Sequence, residues 1–541
     1  MPAELTPTDA SRFTMDDFTT MSPNESTNKS MNEATNDAAP DRSDAIADCR
    51  AQLTTLTAMA VAVASTLVLT LAGCASSAGI APTAQPLPAI SVGLDAAAPT
   101  TPAVAADWWR SFNDPALNDL VERTVAGNPS LKVAQARLAR AQAAVSANQA
   151  GDGPQLNGGL DLTRQRFSGN SIYPPPLGGA ILNTGTLQLT ASWELDFFGR
   201  NRAAIEAAVG TQRAAEADVQ AARVLLASNV ARSYVQLARL IEQRAVAERS
   251  LAQRDETLGL IRQRVQGGLD TNVELRQGEG ALPESRQQIE QFDEQISLTR
   301  HALAALTAQA PNALDGLAPA LTSVQAVPLP AAVPADLIGR RADIAAARWR
   351  VEAATKDVAS AKAQFYPNIN LTAFAGFASI GFDNLIKSGS EQYGVGPAIR
   401  LPIFDSGRLR ANLRGKTADL DGAIESYNSA VIDAVHDVAD QISSLQSIAR
   451  QQQEQVRAAA AAESAYDLAT QRYKAGIGTY LVVLSAETNV LSQRRLSTEL
   501  KARALDSQVA LIRALGGGYA ATDADQLAEQ NADKMKPGEH S

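Results

Sequence analysis

The sequence predicts a mixed α/β membrane protein in which short alternating strands are joined to very long helices. Three observations carry that prediction. Two parts of the chain repeat each other about 208 residues apart, each part contains a pair of strands with one apolar and one polar face, and the remainder is proline-poor and periodic. With 45% hydrophobic residues, the chain of 541 residues is neither a disordered polymer nor a bundle of spanning helices.

Taken in order, residues 1–50 carry ten acids against four bases, so −6 of the formal net charge of −10 sits there. The rest of the chain is nearly balanced, which argues against a basic, phosphate-binding body and against a nucleic-acid partner. Residues 51–73 are a run of 23 without a charge, ending at Cys74. That length could span a bilayer. However, Leu71-Ala72-Gly73-Cys74 resembles the lipobox of bacterial lipoproteins, where small residues admit a signal peptidase and the new terminal cysteine receives lipid. The resemblance implies palmitate-type acylation of Cys74 and, because Ala75 rather than Asp follows, sorting to the outer membrane. A single Arg50 before the run and a 50-residue polar leader are unusual for a signal, and point to a start further downstream or an atypical signal. Residues 1–73 are thus read as leader and signal peptide, 74–106 as a lipid-bearing linker, and the mature chain as 468 residues. Cys49 and Cys74 are the only cysteines, and His301, His436 and His540 stand apart, so no disulfide framework or metal site is expected.

The body divides into 107–310 and 341–519, separated by a linker at 311–340 and followed by a polar tail at 520–541. "WELDFFGRNRA" (193–203) answers "LPIFDSGRLRA" (401–411), and "QRVQGGLDTNVEL" (263–275) answers "QRYKAGIGTYLVV" (471–483). Gly199 to Gly407 and Thr271 to Thr479 are both 208 residues apart. A third pair, beginning at residues 128 and 341, precedes them in the same order.

Strand signatures fall at equivalent places. Leu187, Leu189, Ala191, Trp193, Leu195 and Phe197 alternate with Gln188, Thr190, Ser192, Glu194 and Asp196, and the partner from Leu156 to Phe167 sets Leu156, Leu160 and Leu162 against polar neighbours. Ile369, Leu371, Ala373, Ala375 and Phe377 form one row of the second pair, and Tyr393, Val395, Ile399, Leu401 and Ile403 the other. Strands of about 9–11 residues with one wet face suit a membrane barrel, although a soluble half-buried sheet shows the same alternation. Four strands cannot close a barrel, because an open edge in lipid leaves unpaired backbone groups. Either the sheet is soluble or several chains pool their strands, and three chains would give twelve. The turn-rich stretches 168–185 and 379–392 would face outside.

The helices are unusually long. Residues 200–267 lack proline and at about 1.5 Å per residue reach on the order of 100 Å. Ile289, Phe292, Ile296, Leu303 and Leu306 keep coiled-coil spacing, and Pro283 is expected to interrupt or kink its helix.

"WELDFFGR", "FYPNI" (365–369), "FDSGR" (404–408) and "VPLPAAVPADLIGRRADI" (327–344) resemble the TolC family of outer-membrane efflux factors. With the lipobox, the resemblance is to the lipoprotein branch that serves resistance-nodulation-division pumps. Ala342 stands where that family usually has proline. The resemblance implies a homotrimer with a twelve-stranded outer-membrane β-barrel, four strands per chain, continued by a periplasmic helical tunnel. It implies a passive conduit for drugs or other small molecules, docked to a periplasmic adaptor and a proton-driven inner-membrane pump. An outer-membrane channel for type I protein secretion is the alternative. No cofactor beyond the lipid on Cys74 is expected, and no phosphate loop, zinc spacing or nucleophile–base motif suggests an enzyme.

Two repeated turns are the local signal. Gly268, Asp270 and Thr271, and Gly476, Gly478 and Thr479, interrupt helical patterns where the chain must reverse, glycine permitting the reversal. By the resemblance these are the periplasmic tips that meet the adaptor. Just beyond the second turn, Leu481 matches an apolar constriction position. Ser485 stands where relatives often have a carboxylate, and Glu487 is the nearest acid.

Overall fold

The computed structural model describes residues 76–88, 104–170, 172, 174–324 and 337–520. Cys74, the lipobox and the polar tail beyond Ala520 lie outside them. The helices are α1 (Pro115–Gly127), α2 (Pro129–Asp152), α3 (Arg200–Gln266), α4 (Asn272–Leu306), α5 (Ala342–Ala363), α6 (Arg408–Lys474) and α7 (Tyr480–Ala514). The strands are β1 (Gln155–Arg166), β2 (Ile181–Leu195), β3 (Asn368–Ile380) and β4 (Glu391–Arg400).

The four strands form one antiparallel sheet in the order β1-β2-β3-β4. Leu160 lies opposite Leu187, which lies opposite Phe377, so the apolar row runs across the sheet on one face. Leu156, Leu160 and Leu162 are 70%, 58% and 53% exposed, so that face is largely bare; only near its far end does Leu385, from the β3–β4 connection, lie over Gly185 beside Leu162. The other face is mainly polar along its middle, with Leu182 and Ile380 at its far end, and Phe374 breaks the expected alternation. Its ring lies where a Cβ on Gly394 would be, 2.7 Å away, so glycine there makes room for it. β2 begins at Ile181, earlier than the turn-rich composition suggests, because its first residues pair with Arg166 and Gln165 of β1.

Each strand pair leads into a 67-residue helix. The motifs at the entries do this through backbone capping. Gly199 and Gly407 take left-handed φ of 75° and 84°, and the carboxylate upstream of each receives freed helix amides. Asp196 accepts from Arg202 N at 2.8 Å, and Asp405 from Leu409 N at 2.8 Å.

Alanine-rich faces let the helices approach closely, and a Cβ on Gly210 of α3 would sit 3.0 Å from that of Ala353 on α5. Pro283 does not break α4, which continues from Asn272 to Leu306. Proline in a helix interior costs about 3 kcal/mol. Around it Gly278, Ala281, Leu282 and Ser285 are buried, and that packing outweighs the lost hydrogen bond. Of the expected coiled-coil positions, Ile296 and Leu303 are buried, and Phe292 and Leu306 pack against the same core.

That core gathers where α1, α3, α4 and α7 meet, around Trp108, Phe112, Tyr234, Leu237 and Leu303. Asp114 organises it. As N-cap of α1 it accepts from Ala116 N at 3.0 Å and Leu117 N at 3.3 Å, while the hydroxyls of Tyr234 and Ser323 donate to it at 2.9 and 2.8 Å.

Candidate functional site

The α3–α4 and α6–α7 reversals are brought together at one end of the helices. Gly268 and Gly476 adopt left-handed φ of 71° and 78°, which a side chain with a Cβ takes only with strain. The first turn closes with a capping box at the start of α4. Thr271 Oγ1 accepts from Val273 N at 3.1 Å, and Glu274 accepts from Thr271 N at 2.9 Å. Thr479 caps α7 without a side-chain hydrogen bond, and with Val482 in the place that Glu274 has in the first turn no capping box forms there.

Arg264 joins the turns. From the last turn of α3 its Nε donates to Asp270 at 2.9 Å, and its Nη1 donates to the carbonyl of Tyr473 on α6 at 3.1 Å. The guanidinium lies 4.5 Å from the centroid of the Tyr473 ring, and the Tyr473 hydroxyl donates to Asp270. Tyr473 and Tyr480 pack with ring centroids 6.1 Å apart over Ile261 and Val483. The hydrogen bond from Arg264 is the main cause that holds the Asp270 carboxyl below its ordinary range. Burial, then the hydrogen bond to Asp270, raises the Tyr473 hydroxyl above the usual phenol range.

Asp270, one of the tip residues, is turned inward, its side chain 9% exposed. It fastens the turn. Gly478 is also enclosed, since a Cβ there would meet Arg472 Cβ and Tyr473 N at 3.2 Å. What the tips present outward is Leu269 and Ile477, each 69% exposed. Leu481 is exposed on the first turn of α7 and Ser485 one turn further along the same face. Glu487 does not lie free beside them. It is buried and accepts from Arg254 Nε at 2.9 Å, while Arg254 also donates to Ser285 Oγ at 3.0 Å.

Residues 76–88 run extended along the sheet-proximal part of α6. Arg410 donates to the carbonyls of Ser76 and Ala78. Asp421 accepts from Thr83 N, Thr83 Oγ1 and Ala84 N at 2.9–3.0 Å, and Asn428 accepts from Leu87 N at 2.9 Å. Ile80 and Ala84 pack against Leu413 and Leu420.

A sequence profile of the outer membrane efflux protein family matches residues 120–309 and 333–517. The chain is 34% identical over 465 residues to the multidrug resistance outer membrane protein MdtQ of Escherichia coli O157:H7, covering 84% of this chain and 97% of that protein. It is 38% identical over 362 residues to the fusaric acid resistance protein FusA of Burkholderia cepacia, covering 65% and 68% of the two chains. The crystal structure of the outer membrane protein VceC from Vibrio cholerae superposes with a TM-score of 0.73 at 35% identity, over 76% of this chain and 99% of that one.

Proposed function

The chain belongs to the outer membrane efflux protein family, and on that premise we propose that it is the outer-membrane channel of a tripartite efflux system. It conducts small molecules passively from an inner-membrane pump and a periplasmic adaptor to the exterior. The names of MdtQ and FusA attach to drug and fusaric acid resistance, which favours small-molecule cargo over protein secretion.

One observation carries the reading. A four-stranded sheet with a largely bare apolar face and two open edges continues directly into 67-residue helices on the order of 100 Å long. Open edges cannot remain in lipid, so several copies pool their strands; three copies, as the family resemblance implies, give one barrel of twelve, and their helices form the periplasmic tunnel. The two halves, 107–310 and 341–519, are the repeats from which each copy is built.

Lipidation of Cys74 is supported by the course of the residues that follow it. Ser76 is fastened to Arg410, in the first turn of α6 beside the strands, so an acyl chain two residues earlier starts near the membrane. At the other end, Leu269 and Ile477 at the tips Gly268–Thr271 and Gly476–Thr479 give the adaptor apolar contacts on a backbone held by Arg264. Leu481 is the residue for an apolar constriction, with Ser485 behind it; with Glu487 paired to Arg254, no carboxylate gate is assigned.

The test is the isolated membrane protein together with a cell lacking its gene. A heat-sensitive trimer in detergent and restored drug resistance on complementation are expected, whereas a stable monomer overturns the reading.

A further inference from the structure

Resting on the barrel reading above, we propose that Arg164 and Arg166 form a binding site on the outward face of the barrel for phosphate groups of outer-leaflet lipid. The register continues the apolar row of Leu156, Leu160 and Leu162 directly into these two arginines, opposite Asn183 and Ile181. Trp193, whose Nε1 donates to the Asp152 carbonyl at 3.0 Å, marks the helix-proximal end of the same face. The arginines stand at the opposite, extracellular end.

Height argues for headgroup level. From Leu195 to Gly185 the outward row of β2 covers ten residue steps, about 33 Å along the strand and about 25 Å vertically at a tilt of about 40°. That matches the apolar band of an outer-membrane barrel, and Leu162 lies opposite Gly185 at its top. The next outward positions on β1 are Arg164 and Arg166. Arginine on a lipid face is strongly unfavourable at mid-bilayer and nearly neutral at the interface, so the placement is tolerable only there.

The chemistry selects the partner. Every residue of β1 is exposed, and the cross-strand neighbours Asn183 and Ile181 bring no carboxylate to the arginines. Alternate residues on a strand are about 6.7 Å apart, so the two guanidiniums can each take a phosphate oxygen pair or share one group. The competing partner is Glu391, which faces the same way at the far edge of the sheet and would approach β1 of a neighbouring copy. In this chain Glu391 accepts from Gly389 N at 2.7 Å.

Purified full-length trimer would be reconstituted in nanodiscs containing diphosphorylated lipid A, its dephosphorylated form, or phosphatidylglycerol, and co-purifying lipid measured by native mass spectrometry. Wild type should retain diphosphorylated lipid A about tenfold better than the dephosphorylated form, R164Q/R166Q should lose that preference, and R164K/R166K should recover part of it. Equal retention of phosphatidylglycerol would assign the site to phospholipid headgroups, and displacement by inorganic phosphate to the phosphate group alone; both keep the proposal. Unchanged retention in a trimeric R164Q/R166Q overturns it. Loss of trimer heat stability without loss of lipid also overturns it, in favour of Glu391 of a neighbouring copy. Absence of any trimer in wild type would instead sink the barrel reading.

Discussion

Arg264 and Tyr473 lie 209 residues apart in the chain and meet at the tip, the guanidinium stacked 4.5 Å from the ring centroid and bonded to the tyrosine's own carbonyl. One arginine thereby fastens the first turn to the second. Through Asp270, which accepts from both side chains, the three form a closed loop. Asp270→Ala should loosen both turns together, since it strands Arg264 and frees the Tyr473 hydroxyl. Hydrogen bonds to charged groups contribute about 1.5–3 kcal/mol. Amide exchange at residues 267–271 and 475–479 should therefore rise about tenfold or more, while Tyr473→Phe, which keeps the ring, should have a smaller effect.

The same loop sets a pH window. The folded Asp270 carboxyl titrates below its unfolded value, so its contribution is complete above the ordinary carboxylate range near about 4 and is lost only as pH falls through the lower folded value. Tyr473 is raised, so its contribution is complete below about 10 and is lost as pH climbs past that. Between pH 5 and 8 the tip should not open by titration of either group. Intrinsic-rate-corrected amide exchange that increased severalfold from pH 7 to 5 would contradict this.

Gly268 and Gly476 need their left-handed backbone, and a side chain at either costs about 1–2 kcal/mol locally. Gly476→Val should impair drug resistance with trimer yield unchanged, because the strain is confined to a turn outside the strand pairings. A parallel fall in trimer would make these turns structural only.

The strap at residues 76–88 makes a separate prediction. Asp421 receives three hydrogen bonds from Thr83 and Ala84. In Asp421→Ala the strap should become susceptible to proteolysis between residues 80 and 87, with α6 still protected. Intact mass of the membrane-extracted protein should show residues 1–73 removed and acyl chains on Cys74; an unprocessed Met1 terminus would refute the lipobox reading.

What was legible in the sequence was whatever repeats or alternates locally. Gly268 and Gly476 stand out because they interrupt a helical period twice at the same spacing, and Leu187 to Leu195 because a strand has period two. Arg264 and Tyr473 were hidden by that same repetition. Arg264 is matched by Arg472, but its partners lie where the halves differ, Tyr473 answering Val265 and Gly478 answering Asp270, and matching the halves discounts such differences. Phe374 was hidden because the space for it is made by Gly394 on another strand. Pro283 does not end its helix because its cost is local, whereas the packing that overrides it comes from another helix.

Glu487 illustrates the same limit and yields the last prediction. In sequence it is an acid near the constriction position that the resemblance implies; in the structure it is 6% exposed and joined to Arg254, which reaches across from α3 and also donates to the Ala281 carbonyl at 3.2 Å and to Ser285. The pair thus ties α7 to α3 and α4 in a buried polar layer, a placement that sets axial register. Arg254→Leu leaves the Glu487 charge buried and should destabilise by about 3–5 kcal/mol, whereas Glu487→Leu should cost less because Arg254 keeps Glu284 at 3.5 Å. Replacing both restores apolar packing and should recover most of that loss, because desolvating two charges offsets much of their attraction. If the layer also sets register, the double variant should regain thermal stability yet show altered disulfide cross-linking between cysteines placed on α3 and α7. Full recovery of both, with an unchanged cross-linking pattern, would mean that the layer serves packing alone.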